Sequence, residues 1–184
     1  MRTLKQMLKL IVNLLSKPFY FLASFILLFV LPSCLVSYKF NGSSIDYTKI
    51  KTITIADFSN HAALVYPPLA TNFSETLKDQ YSQKTRLVFV PRNGNLQIEG
   101  EIVGYDLIQM AVSSEGQSMD TKLQITVNVR FTNTVNPSES FEERFTAFQV
   151  FSNNLTINQV QEELNRLIVD DLISMIFNRT VANW

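Results

Sequence analysis

Cysteine and histidine are almost missing from this 184-residue chain, which has one of each, Cys34 and His61. A lone cysteine excludes an internal disulfide and any cysteine-based zinc or iron–sulfur site within the chain. With no HExxH pattern and no second imidazole, His61 in the loop sequence SNHAAL reads as a surface histidine rather than a ligand or base. Glycine is scarce too, at five residues, and neither a phosphate-binding glycine loop nor a GxSxG turn is present. There is also no excess of positive charge. Arg2, Lys5, Lys9 and Lys17 are the only charges in the first 33 residues, leaving 12 basic against 16 acidic residues after Ser33. A mildly acidic remainder has no general attraction for nucleic acid, and no metal or other cofactor is expected.

What the chain does have is a basic start followed by the apolar run FYFLASFILLFVL, residues 19–31, and then Ser33-Cys34. Those are the parts of a secretory signal peptide. The competing reading is a retained membrane helix, because Pro18 to Val36 carries no charge and spans about 28 Å at helical rise, enough for hydrocarbon. Pro32 would break such a helix near its end. The tetrapeptide LPSC resembles the lipobox of bacterial lipoproteins, in which the cysteine receives diacylglycerol and the signal is cut just before it. Pro32 departs from that pattern, where a small or β-branched residue is usual. The expectation is a signal over 1–33, lipidation at Cys34, and one periplasmic domain over 34–184 whose first residues, 34–48, form a short linker. Two or three acyl chains at Cys34 would anchor the domain firmly, whereas one holds only marginally.

Within that domain, KTITIADF alternates Ile53 and Ile55 with Thr52 and Thr54, a strand pattern. Pro67 and Pro68 can open a helix carrying Leu69, Phe73, Leu77 and Tyr81 on one stripe. Asn93-Gly94 predicts a tight hairpin between Leu87–Val90 and the strand with Leu96, Ile98 and Ile102. After the polar loop SSEGQS (113–118), KLQITVNVRFT places Leu123, Ile125, Val127, Val129 and Phe131 on one face without error. SFEERFTAFQVF continues with Phe141 and Phe145 inward, and its alternation breaks near Phe148, which suggests a bulge. A capping box of Thr156 and Gln159 opens a last helix with Val160, Leu164, Leu167, Ile168, Leu172, Met175 and Ile176 as its apolar stripe. The predicted fold is α+β, in the order β-α-β-β-β-β-α. Two helices pack on one face of a mixed, largely antiparallel sheet of four to five strands, and the other face stays polar.

Catalytic signatures are absent. Glu99 and Glu101 share one side of a strand opposite Ile98 and Ile102 and read as wet surface rather than an acid/base pair. The adjacent pairs Glu142-Glu143 and Asp170-Asp171 point different ways on regular elements, which argues against shared metals. The chain is not expected to be an enzyme.

The segments SCLVSYKFNGSSI, KTITIADFSNHAALVYPPLATNFSETLKDQY, GNLQIEGEIVGY, KLQITVNVRFTNT and IFNRTVANW, taken in order, resemble the LptE family of lipopolysaccharide-assembly lipoproteins. The resemblance is densest in AALV, the LKD helix segment and GEI…Y, and it runs over nearly all of the chain after Ser33. It implies an outer-membrane lipoprotein without catalysis. Such a protein fits inside the β-barrel protein LptD as plug and assembly subunit and helps deliver lipopolysaccharide to the cell surface. Phosphate-rich lipopolysaccharide calls for basic groups, and Lys122, Arg130 and Arg144 are the ligand-binding candidates on the polar sheet face. A solvated face of mixed charge is the plainer reading of those three. The alternative function is a free-standing periplasmic ligand-binding or adaptor lipoprotein. Replacing Cys34 with Ala should abolish acylation and leave the fold intact; intact-mass analysis that still found acyl chains would refute lipidation at this residue.

Overall fold

A computed structural model describes residues 45–110 and 120–181. Cys34, the expected signal and the SSEGQS loop lie outside the described residues. The elements are β1 (Thr52–Ile55), β2 (Ser59–Asn60), α1 (Leu69–Lys84), β3 (Val88–Phe89), β4 (Leu96–Gln109), β5 (Asp120–Asn133), a 3-10 turn (Pro137–Glu139), β6 (Phe141–Ser152) and α2 (Ile157–Thr180). This is the predicted α+β fold, with six strands in one sheet rather than four to five. The additional strand is β2, too short to leave an alternation in the sequence.

Residues Ile53, Ile98, Ile102, Leu123, Ile125, Val127, Val129 and Phe131 line the covered face of the sheet, all essentially buried. Against them pack Leu69, Phe73, Leu77 and Tyr81 of α1, the stripe with four-residue spacing, and Leu164, Ile168, Leu172 and Ile176 of α2. Each such side chain contributes roughly 1.5–3 kcal/mol on leaving water. The α2 stripe is rotated from its expected position, with Asn165, Val169 and Ile173 buried and Met175 exposed. Tyr81 meets Phe177 at 5.1 Å between ring centroids and shares a hydrogen bond with Thr180, while Leu69 at the start of α1 lines one groove with Asn165 and Val169 of α2. The two helices therefore run parallel. Burial pushes the Tyr81 hydroxyl well above its ordinary range, so it stays a neutral hydrogen-bonding group. The capping box forms as expected, with the Thr156 amide donating to Gln159 at 2.8 Å.

The strand order is β3-β1-β4-β5-β6, with β2 also on β4. This overturns the predicted hairpin at Asn93-Gly94. β1 lies between β3 and β4 and is parallel to both, so the chain must cross over β1 to get from one to the other. Residues 90–95 make that crossing on the Thr52/Thr54 side of β1. Thr54 Oγ1 donates to the Val90 carbonyl at 3.0 Å and accepts from the Gly94 amide at 3.0 Å. Asn95 Oδ1 accepts from the Lys51 and Thr52 amides at 2.9 and 3.2 Å. Asn93 does take a positive φ of 57°, but for this crossover rather than for a two-residue turn.

The expected bulge is also displaced. β6 pairs with β5 without a register shift, and the irregularity falls instead in β4 between Ile102 and Gly104. The alternation of polarity breaks near Phe148 because Phe148 and Val150 stand on the uncovered face, where Phe148 is 51% exposed.

Gly94 is pressed against β1: an added Cβ would lie 2.6 Å from the Thr54 nitrogen and 2.8 Å from the Ile53 carbonyl carbon. Because those are backbone atoms, Gly94→Ala should cost about 2 kcal/mol or more; urea unfolding with an unchanged midpoint would show that the crossover is not tightly packed.

Candidate functional site

Among the described residues no helix covers the second face of β4, β5 and β6. Side chains alternate across a strand, so residue pairing orders this face into rows. The first row joins Glu99, Arg130 and Glu142, and the second Glu101, Asn128 and Arg144. Thr126 and Thr146 follow, then Asp106, Gln124 and Phe148, and last Ile108, Lys122 and Val150. The face thus passes from charged rows, through hydroxyl, to rows that mix apolar side chains with Asp106, Gln124 and Lys122. Ile108, Phe148 and Val150 are exposed, which corrects the expectation of a uniformly polar face. Phe148 and Val150 resemble core residues in the sequence, and the unshifted pairing of β6 with β5 is what puts them outside.

At the charged end Arg130 Nε donates to Glu142 at 3.1 Å and Nη1 to Glu99 at 3.0 Å. These bonds, that to Glu142 first, raise the Arg130 guanidinium above its ordinary value. The Asn128 amide donates to Glu142 at 3.1 Å, and this bond with that from Arg130 lowers the Glu142 carboxyl below the usual 4.5. Beside this row is a cleft of about 360 Å³, lined by Asp57, Ser59, Glu99, Glu101, Asn128 and Arg130 among others. It opens where β1 gives way to β2 along the β4 edge. In the gap Phe58 turns inward, its amide donating to Ser74 Oγ at 2.9 Å, and its ring crosses Gly100 so closely that a Cβ there would sit 2.6 Å away.

The carboxylates around the cleft have separate partners. Glu99 is tied to Arg130, Glu101 lies 3.7 Å from His61, and Asp57 pairs with Lys78. Glu99 and Glu101 are thus turned toward different partners, Arg130 and His61. Sequence gave His61 no partner; register across β2 and β4 brings Glu101 to it. The adjacent acids diverge as expected: Glu142 faces Arg130 and Glu143 faces Arg179, while Asp170 faces Arg166 and Asp171 faces Gln149.

Lys122, Arg130 and Arg144 share this face but do not gather into one cluster. Lys122 is eight residues from Arg130 along β5, roughly 26 Å at strand rise. Its ammonium bonds Gln124 at 2.9 Å and lies 5.1 Å from the centre of the Phe148 ring. Arg130 is engaged by two carboxylates. Arg144 is exposed and forms no ion pair among the described residues.

Against known proteins, the model of the LptE family, described as lipopolysaccharide-assembly, matches residues 50–180. The chain belongs to the LptE family. This LptE chain has the two helices and mixed sheet described above, and its family implies a lipoprotein of lipopolysaccharide transport and outer-membrane assembly on the periplasmic side. Among solved structures it is similar to a minor lipoprotein from Acinetobacter baumannii, at 17% identity over 70% of this chain and 91% of that chain with a TM-score of 0.47. It is also similar to uncharacterized lipoprotein B from Nitrosomonas europaea, at 19% identity over 69% and 79% of the two chains with a TM-score of 0.43. No curated protein matches the chain.

Arg130→Gln removes one of the two donors holding Glu142 ionised and leaves Asn128. The Glu142 titration should therefore move up toward its ordinary value. The folded-state value is depressed, so the stabilisation from this clamp is present above about pH 4.5 and lost as pH falls through the lowered value. Carboxyl NMR titration of the variant checks this, and an unmoved Glu142 midpoint would rule out the clamp.

Proposed function

We propose that this LptE chain is the plug and assembly subunit of a lipopolysaccharide translocon, tethered to the outer membrane through lipidated Cys34 and seated in the lumen of a barrel of the LptD kind. The observation that carries this reading is the two-sided build of the sheet within an LptE-family domain. One face is closed by α1 and α2, and the other exposes the charged rows of Glu99, Arg130, Glu142 and Arg144 over three long strands. The lumen of a large transmembrane barrel is polar, so a subunit seated there needs an extended hydrophilic face of its own. Among the described residues no helix is long and apolar enough to cross a membrane. In this reading attachment is through Cys34, whose LPSC context resembles a lipobox.

In this reading the chain binds and supports rather than catalyses. Paired acids such as Glu99 and Glu101 shape the surface, and changing them alone should leave transport near normal. Of the candidate cations, Lys122 and Arg130 face the ligand as separate contacts rather than as one phosphate site, and Arg144, on the outer strand β6, is left for the barrel partner.

Depleting the protein in its host tests the reading. Surface lipopolysaccharide and the abundance of the folded barrel should fall together. Normal levels of both would defeat the translocon role, and recovery of no large β-barrel after crosslinking would leave a free-standing periplasmic adaptor.

A further inference from the structure

The two edges of the sheet are unlike. At one edge β3 has two residues and is followed closely by Pro91, a blunt end of the kind that discourages further pairing. At the other, β6 runs for 12 residues, Phe141–Ser152, in unshifted register with β5. From Phe145 to Ser152 it contains no charge, proline or glycine. Among the described residues, no backbone group of residues 142–151 is hydrogen-bonded outside the ladder to β5. Such an edge lacks the guards that keep strands from recruiting other strands, and it is a template for strand addition.

We propose that the outer edge of β6 over Arg144–Ser152 receives an extended segment of the barrel partner, which adds a strand to this sheet. The proposal rests on the plug reading. The geometry of α2 selects the occupant. This helix runs beneath β6, with Asp171 at Gln149 and Arg179 at Glu143, the Arg179 guanidinium lying 4.2 Å from the centre of the Phe141 ring. A second copy paired through the same edge would bring its own α2 alongside at about the 4.8 Å strand spacing, whereas packed helices need about 8–10 Å. The occupant is thus a strand without a helix beneath it. Next to Phe148 and Val150 it presents apolar side chains. Opposite Arg144, which has no ion pair among the described residues, it presents a carboxylate.

The test is hydrogen exchange of the full chain, free in detergent and co-purified with its barrel partner. In the complex, outward amides between residues 144 and 152 should exchange on the order of 100-fold more slowly than in the free chain. Phe148→Lys and Arg144→Glu alter exposed side chains and should leave the melting temperature unchanged while weakening the complex about tenfold, equivalent to about 1.4 kcal/mol. If the barrel is recovered equally with wild type and both variants and these amides gain no protection, the edge assignment is wrong and the plug reading stands. If no barrel is recovered, the plug reading fails and takes this one with it. Protection already present in the free chain would mean that the edge is covered within the chain or by a second copy, which overturns the proposal; sedimentation separates those two.

Discussion

Strand β4 is the member on which the sheet depends. Its 14 residues pair with β1 and β2 along one edge and with β5 along the other, so it fixes the register of both halves. The one irregularity in that pairing, between Ile102 and Gly104, changes which residues face the helices. Before it Ile98 and Ile102 point inward, and after it Tyr105 does, where its hydroxyl accepts from Gln161 at 2.8 Å. Without this step the distal half of β4 would turn its apolar set outward.

That division of faces explains which features were readable from the chain. The α1 stripe, the β5 alternation and the Thr156–Gln159 cap depend on neighbours within a few residues, and each has one strong periodic or capping solution. The partner of β3 was not readable in the same way. Asn93-Gly94 is a correct local statement about backbone conformation, yet the strand that lies beside Val88 and Phe89 comes from residues 52 and 53. Its placement is decided by the core packing of Ile53 and by the hydrogen bonds from Thr52 and Thr54, which no turn dipeptide encodes.

The surface follows the same logic. Charged residues on the open side were identifiable from even and odd positions, but their pairing was not, since Arg130 meets Glu99 and Glu142 only once three strands are in register. The cleft was also hidden, because it arises from the interruption between β1 and β2, where Phe58 abandons the alternation to fill the space over Gly100. Phe148 and Val150 had the reverse fate. They look like core residues in composition, and only the unshifted pairing of β6 shows that they are outside.

The crossover of residues 90–95 also bears on how the chain reaches this state. β4, β5 and β6 are successive in sequence and can pair by closing short loops, whereas Ile53 finds Leu96 43 positions further along the chain and must be enclosed beneath the crossing segment. Local pairings form faster than distant ones, so the three-strand meander is expected to assemble before β1 is captured. During that interval both of its margins are unpaired, and the species most vulnerable to misassociation is a partly built sheet awaiting its N-terminal strand. Swift capture of residues 52–55 is then a condition of a clean yield, and the hydroxyls of Thr52 and Thr54, bonded to the crossing segment, act as the latch.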